Sequence, residues 1–308
     1  MKKSKLFKKV LMIFIIILLT GCTRTLKDDN NKIVVSDETG RSLTENILCK
    51  PTDEEILKKY LKIEEKKYSK LPECKDFKIT TGGYEGLWTS ILVKPLAYLI
   101  LKLGDIFGNT GLGLILSTIL IRLLVVPITK KTAMQSEKMK LAQPEIAQLE
   151  KKYKDKKDQE SLMKKNQEML MIYKKHNLNP LSGCVFALIQ LPLFLAFLEA
   201  INRVPAIFEE RFLWMKMGIT PLKAIGNGNY LYIILIILII GTTYLSFKIN
   251  GTTGGGEQQK QMQGMMKFML VFISFVSFTL PTAVALYWIT SSGFTIVQNL
   301  IVKRSKIS

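Results

Sequence analysis

Apolar and polar residues are segregated into long blocks along this chain rather than interleaved as in an ordinary globular domain. Five apolar blocks follow the amino-terminal region: Gly111 to Ile128, Leu181 to Ile201, Tyr230 to Phe247, Met265 to Leu280 and Thr282 to Val302, with Pro281 parting the last two. A helix rising about 1.5 Å per residue needs about 20 residues to cross a hydrocarbon core of about 30 Å, so these blocks predict five spans, several at the short end. The predicted fold is therefore all-α, a polytopic membrane protein with five transmembrane helices.

Two other segments have helical periodicity without the composition of a span. Residues 129–178 have no glycine and one internal proline, Pro144. They mix lysine, glutamate and glutamine with Met139, Ile146, Leu149, Tyr153, Leu162, Met169 and Tyr173, and Lys154 to Gln159 forms a polar break. This pattern predicts a cytoplasmic helical hairpin projecting from the membrane. Residues 84–107 are amphipathic, with Trp88, Ile91, Leu92, Leu96, Leu99 and Leu103 at helical spacings and Lys94, Pro95, Lys102 and Asp105 interrupting them. An interfacial amphipathic helix fits this better than a sixth span over 87–103, because charges and a proline near the bilayer centre are costly.

Residues 1–21 place five lysines ahead of the apolar run Val10 to Leu19 and end on Leu19-Thr20-Gly21 before Cys22. That is an export signal, and the box resembles that of bacterial lipoproteins, in which the cysteine is lipidated and becomes the first mature residue. An uncleaved anchor helix is the competing reading. Residues 22–83 would then lie outside the cytoplasmic membrane as a tether or small cap, with a helix-like stretch from Asp53 to Lys67. There Cys49 and Cys74 meet conditions that permit a disulfide, which the sequence leaves open.

Charge orients the spans. The 308 residues carry a formal +19, and loss of the five leader lysines leaves +14. With the lipidated end outside, five spans put 129–178, 248–264 and the basic tail 303–308 in the cytoplasm. The first of these holds thirteen lysines against seven acids, and the tail adds Lys303, Arg304 and Lys306, both in accord with the positive-inside rule. The outer segment 202–229 has only four basic residues against two acidic.

One histidine and four cysteines give little material for a His-based zinc site or a hydrolase triad. Gly254-Gly255-Gly256-Glu257 lacks the Gly-Lys-Ser/Thr ending of a phosphate loop. No enzyme, metal or cofactor is predicted, and the hairpin lysines come without a nucleic-acid recognition motif.

Candidate chemistry lies inside the membrane. Arg122 stands in Thr118-Ile119-Leu120-Ile121-Arg122-Leu123-Leu124-Val125-Val126-Pro127. A central arginine costs about 2.5–3.5 kcal/mol on insertion scales, so a hydrated cavity or polar partner is expected to receive it; snorkelling from the inner end is the bland alternative. The span cores read as free of acidic residues, so no buried carboxylate is expected to neutralise it. Gln190, Thr242, Ser246, Tyr287, Ser291 and Gln298, with Ser274 and Ser277, are candidates either to line a wet groove or to glue helices together. Met262, Met265, Met266 and Met269 follow i, i+3, i+4 and i+7 at the inner end of the fourth span, an adaptable surface for helix packing or for apolar substrates.

Taken together, the chain resembles the YidC/Oxa/Alb family of membrane-protein insertases, in particular the lipoprotein type of Gram-positive-like bacteria. The resemblance rests on the amphipathic segment ending near Phe107, Gly111-Leu112-Gly113, Ile121-Arg122 and Pro127, and the region from Met139 through Pro144-Glu145. It continues with Asn179-Pro180-Leu181, Gln190-Leu191-Pro192-Leu193-Phe194 and Leu286-Tyr287-Trp288, covering almost the whole mature chain. It implies an insertase core over 108–302 whose hydrophilic groove opens to the cytoplasm and to lipid but is closed outside, with Arg122 as the groove arginine and Trp288 as a contact or packing aromatic. It also implies nascent inner-membrane proteins as clients, membrane lipids as surroundings, and the Sec translocase, ribosome and targeting factors as candidate partners. Comparable members often have a glutamine near Ser246, where serine shortens the polar reach, and many relatives have a large extracytoplasmic domain that is not present here. The competing functions are a small-solute or ion transporter, for which repeated halves and broken helices are missing, and a scaffold whose hairpin only docks partners.

Overall fold

A computed structural model describes residues 23–156, 158–179, 182–250 and 257–304, with the side chains of 136, 182–189, 250, 257–263 and 265 outside that description. The leader and Cys22 lie outside the described residues. The chain is mostly helical and divides into two compact units, the first made of residues up to Ile119, Gln190–Leu235 and Phe278–Trp288, the second of Leu120–Ile189, Ile236–Ser277 and Ile289–Ser308.

In the first unit, residues 23–79 form a small folded cap. Isolated bridges join Thr25 to Thr44, Lys27 to Ile33 and Val35 to Ser42, and helix α1, Glu54–Tyr68, starts where Asp53 accepts from the Glu55 and Ile56 amides. Its core is Leu26, Leu43, Ile47, Tyr60 and Tyr68. The two tyrosine rings meet edge to face with centroids 4.8 Å apart, and their hydroxyls donate to the Thr44 and Glu45 carbonyls. Cys49 and Cys74 are joined by a disulfide. The described residues of this segment are thus folded around a core of their own. Its apolar positions are too scattered to show a period, and two of its five core residues are tyrosines.

A single turn at Gly86–Trp88 and a π-helical turn at Thr89–Val93 lead into α2, Lys94–Phe107. The predicted helix is present, but its faces differ from expectation. Ile91 and Leu92, expected on the apolar face, are exposed, whereas Lys94, expected as an interruption, is fully buried. A π-turn takes more residues per turn than 3.6, which rotates everything before Lys94 relative to the rest of the helix. From Thr110 to Lys152 runs a 43-residue helix, α3, with Pro127 and Pro144 inside it and no break where the first predicted span ends. It packs tightly on α2: a Cβ at Gly113 would stand 2.4 Å from the Ile100 carbonyl oxygen and 2.5 Å from the Gly104 nitrogen, so only glycine permits the approach.

Helix α5, Ser182–Arg203, ends in this unit, followed by α6, Pro205–Glu209, a two-residue hairpin β1 Arg211–Phe212 and β2 Met215–Lys216, and α7, Pro221–Gly226. The sequence predicts only a loop here.

The second unit takes up α3 from Leu120 and adds α4, Gln159–Lys175, most of α8, Tyr232–Asn250, then α9, Glu257–Val276, and the later part of α10, Thr282–Arg304. The far part of α3 and α4 form a helical hairpin, broken over residues 153–158. Lys152 pairs with Glu168 at 2.7 Å, and Glu145 receives Lys175 and His176, each at 2.9 Å. These bonds, the Lys175 one first and then the His176 one, hold the Glu145 carboxyl below the usual carboxylate range. At the hairpin base, Lys140 donates at 2.7 Å to the Ile249 carbonyl, a cation on the last turn of α8 where the helix dipole favours it. Among the described residues, Thr110–Lys152 and Tyr232–Ile249 are long and apolar enough to cross a membrane, and Met266–Val276 is a shorter apolar helix.

Candidate functional site

In the second unit Arg122 is 5% exposed, deep in the apolar part of α3, and its guanidinium donates to the Ser291 hydroxyl on α10. Seven residues further along both helices, the Gln298 amide donates at 2.8 Å to the Thr129 hydroxyl. Because 122 pairs with 291 and 129 with 298, the two helices run parallel. Seven residues is close to two helical turns, so both pairs lie on one seam.

The α10 side of that seam is a polar stripe. Ser291, Thr295, Gln298 and Asn299 follow i, i+4, i+7 and i+8, and all but the half-buried Gln298 are buried. The Thr295 hydroxyl returns 3.0 Å to the Ser291 carbonyl. The sequence singled out Ser291 and Gln298 but missed Thr129, Thr295 and Asn299. Their spacing from Ser291 carries the signal, but threonine and asparagine near a span's inner end read as ordinary boundary residues.

Other predicted residues behave differently. The Thr242 hydroxyl bonds its own helix at the Leu238 carbonyl, 2.7 Å away, and Ser274 and Ser277 likewise bond the carbonyls of Leu270 and Ser274. Such back-bonding satisfies a hydroxyl in an apolar setting without a visitor. Ser246 is half-buried one turn beyond Thr242. Met266 is half-buried and Met269 41% exposed, while the side chains of Met262 and Met265 lie outside the described residues.

In the first unit Tyr287 is 1% exposed and stacks on Phe197 at 4.6 Å, and Trp288 meets Phe194 edge-on at 5.2 Å. Both stand in an aromatic packing cluster, and Gln190 is half-buried near the start of the described side chains of α5.

The expectation that the spans hold no acidic residue fails at Glu199, which lies within the second predicted span and is 4% exposed. Its partner is not Arg122. Glu199 accepts from the Trp88 indole at 2.7 Å and from Arg203 one turn along at 3.3 Å. Arg203, 2% exposed, also donates to Glu85 at 2.6 Å and to the Asn46 carbonyl at 2.6 Å. Fully buried Lys94 spends its three protons on Glu85 at 2.8 Å and on the Thr81 and Gly83 carbonyls. Burial pushes the Glu85 carboxyl up, but the bonds from Lys94 and Arg203 outweigh it and hold it below the usual range. Two cations and two anions thus close on themselves, tying the cap, the start of the amphipathic segment and the end of α5 into one block.

The second unit thus combines an arginine buried in the apolar part of one helix, a parallel helix presenting hydroxyl and amide groups to it, and a charged helical hairpin, the composition of a helical membrane protein. Residues 102–308 match the family described as 60Kd inner membrane protein. The membrane protein insertase YidC 2 of Listeria innocua is 39% identical over 223 residues, 72% of this chain and 74% of that one. The insertase MisCA of Bacillus subtilis is 36% identical over 224 residues, 72% and 82% of the two chains. A solved structure described as an active YidC insertase with its first transmembrane domain resolved superposes with a TM-score of 0.51 at 24% identity. It covers 82% of this chain, which spans about half (53%) of the length of that one. The chain belongs to the 60Kd inner membrane protein family, the YidC membrane protein insertases.

Proposed function

We propose that this protein is a membrane protein insertase that accepts the short polar end of a nascent segment at the Arg122 seam and releases its apolar part sideways into lipid. The observation that carries the reading is the burial of Arg122 against Ser291 in the apolar part of α3. A guanidinium has five donor hydrogens, and in a poorly hydrated setting its charge acts on a visiting carboxylate far more strongly than in water. Thr129, Ser291, Thr295, Gln298 and Asn299 extend the hydrogen-bonding surface over two turns, and Thr242 and Ser246 are second candidates. Trp288 would contact the apolar part of a client from the aromatic cluster.

The cycle needs no covalent step. A client meets the 129–178 hairpin or the methionine face of Met262, Met265, Met266 and Met269, and its polar end passes to the seam. Burial of its apolar surface in the bilayer then returns roughly 25 cal/mol per Å² and drives release.

In this reading the core over 108–302 crosses the membrane five times, with Cys22 lipidated after removal of 1–21, residues 22–83 outside and 303–308 inside. The parallel course of α3 and α10 supports it, since a first and a fifth span must run the same way. The protein works in the cell membrane, alone or with the Sec translocase, and receives clients from ribosomes and targeting factors at the hairpin. The test is protease-protected insertion of a radiolabelled single-span substrate into liposomes containing the purified protein. Insertion above that into empty liposomes is expected, and none above it, with correctly oriented protein, overturns the proposal.

A further inference from the structure

The hairpin between α6 and α7 exposes what a water-facing loop hides. Its four central residues are Phe212-Leu213-Trp214-Met215; Leu213 is 72% exposed and Trp214 42% exposed. Leu213 also has φ +57°, a left-handed conformation that a bulky side chain adopts only under constraint. Something must hold this strained apolar tip in place, and the first unit does so from both sides. The Asn109 amide donates at 2.8 Å to the Arg211 carbonyl, the Thr110 N–H donates at 2.8 Å to Glu210, and the Lys216 N–H donates at 2.7 Å to the Tyr232 hydroxyl. At Gly111 a Cβ would come within 2.7 Å of the Phe212 Cβ, so the glycine lets the hairpin seat directly on the start of α3.

That seat fixes the height of the tip. Thr110 opens one of the two helices apolar enough to cross a membrane, and Tyr232 opens the other. Just ahead of Thr110, at the end of α2, Ile106 is 62% and Phe107 53% exposed; Arg211 is exposed beside the tip, while Lys102 pairs with Asp105 at 3.8 Å. Exposed aliphatic groups, a tryptophan and a nearby cation at the mouth of two spans are the composition of a membrane–water interface.

We infer that Leu213 and Trp214, continued by Ile106 and Phe107, form a lipid anchor that dips into the leaflet on the cap side, with Arg211 reaching its anionic headgroups. The inference rests on the reading that α3 and α8 cross the membrane. The anchor would hold the cap and the outer ends of these helices at a fixed depth while clients pass the seam.

The experiment is nitroxide depth measurement on the full chain in phosphatidylglycerol/phosphatidylcholine vesicles, with Cys184→Ala and a label at Leu213→Cys. Val297→Cys on α10 serves as the hydrocarbon reference and Lys70→Cys on the cap as the aqueous one. The label at 213 is expected to collide with oxygen in preference to a water-soluble nickel chelate, at a depth of about 5–10 Å in the headgroup and acyl boundary. A label at 213 that behaves like the one at 70, or that is shielded from both reagents by protein, overturns the anchor. If the label at 297 also lacks the oxygen preference, the spanning reading has failed instead. As a readout without a label, brominated acyl chains should quench the native protein more than Trp214→Phe, and equal quenching counts against the anchor.

Discussion

Replacing Arg203 with methionine tests whether the buried ion cluster holds the first unit together. The substitution keeps most of the aliphatic stem but removes the donors that reach Glu85, Glu199 and the Asn46 carbonyl. Glu85 keeps Lys94 and is about one-third exposed, so its share is small. Glu199 is left buried with the Trp88 indole alone. Breaking a buried pair by removing one partner costs about 3–5 kcal/mol, between two and four decades in the folding constant. The assay is reversible denaturation in mixed micelles, with amide exchange of residues 46–50 as a local readout, because the Leu48 N–H donates to the Arg203 carbonyl. If the cost comes from the orphaned carboxylate, adding Glu199→Gln recovers a large part of it. A loss below about 1 kcal/mol, within the range of an exposed pair, or no recovery in the double variant, refutes the reasoning.

Gly113→Ala should cost at least the 1–3 kcal/mol typical of overpacking, since the new methyl meets backbone atoms of α2 that cannot rotate away; unaltered thermal stability would contradict the packing. Reducing the Cys49–Cys74 disulfide, which closes a loop with a sequence separation of 25, should destabilise the cap by about 3 kcal/mol, seen as faster proteolysis of residues 23–79 at unchanged helix content. The tie from Glu145 to Lys175 and His176 is complete above the ordinary carboxylate range and is lost as pH falls through the lowered Glu145 value. Spin-label distances between Gln148→Cys and Lys174→Cys should therefore broaden on acidification from pH 7 to below the lowered Glu145 value, and Glu145→Gln should broaden them already at pH 7.

Periodicity and charge made the helices legible, because each apolar block is long enough to leave a clear signal. The polar break just before Gln159, the helix after Asp53 and the burial of Arg122 within an apolar stretch were all readable in this way. Features that depend on contacts distant in sequence were not. Lys94 and Glu199 look costly in isolation, and only the fold reveals that Lys94 closes on Glu85 and that Glu199, one turn from Arg203, also takes the Trp88 indole from more than a hundred residues away. The cap core hides because Tyr60 and Tyr68 bury polar-tipped rings, and the rotated face before Lys94 hides because nothing in Thr89 to Val93 announces a π-turn. On α10 Thr295 and Asn299 keep helical spacing from Ser291, but threonine and asparagine near a span's inner end resemble ordinary boundary residues.

The central claim is that Arg122 supplies positive charge to a client's polar end. Its most direct test is insertion into liposomes by the native protein, Arg122→Lys and Arg122→Ala, with two substrates that differ only in an acidic or a neutral tail. Insertion of the acidic-tailed substrate should fall by at least tenfold in Arg122→Ala, corresponding to about 1.4 kcal/mol, and be partly restored by lysine, while the neutral-tailed substrate changes less. Equal insertion of both substrates by all three folded proteins would contradict the account.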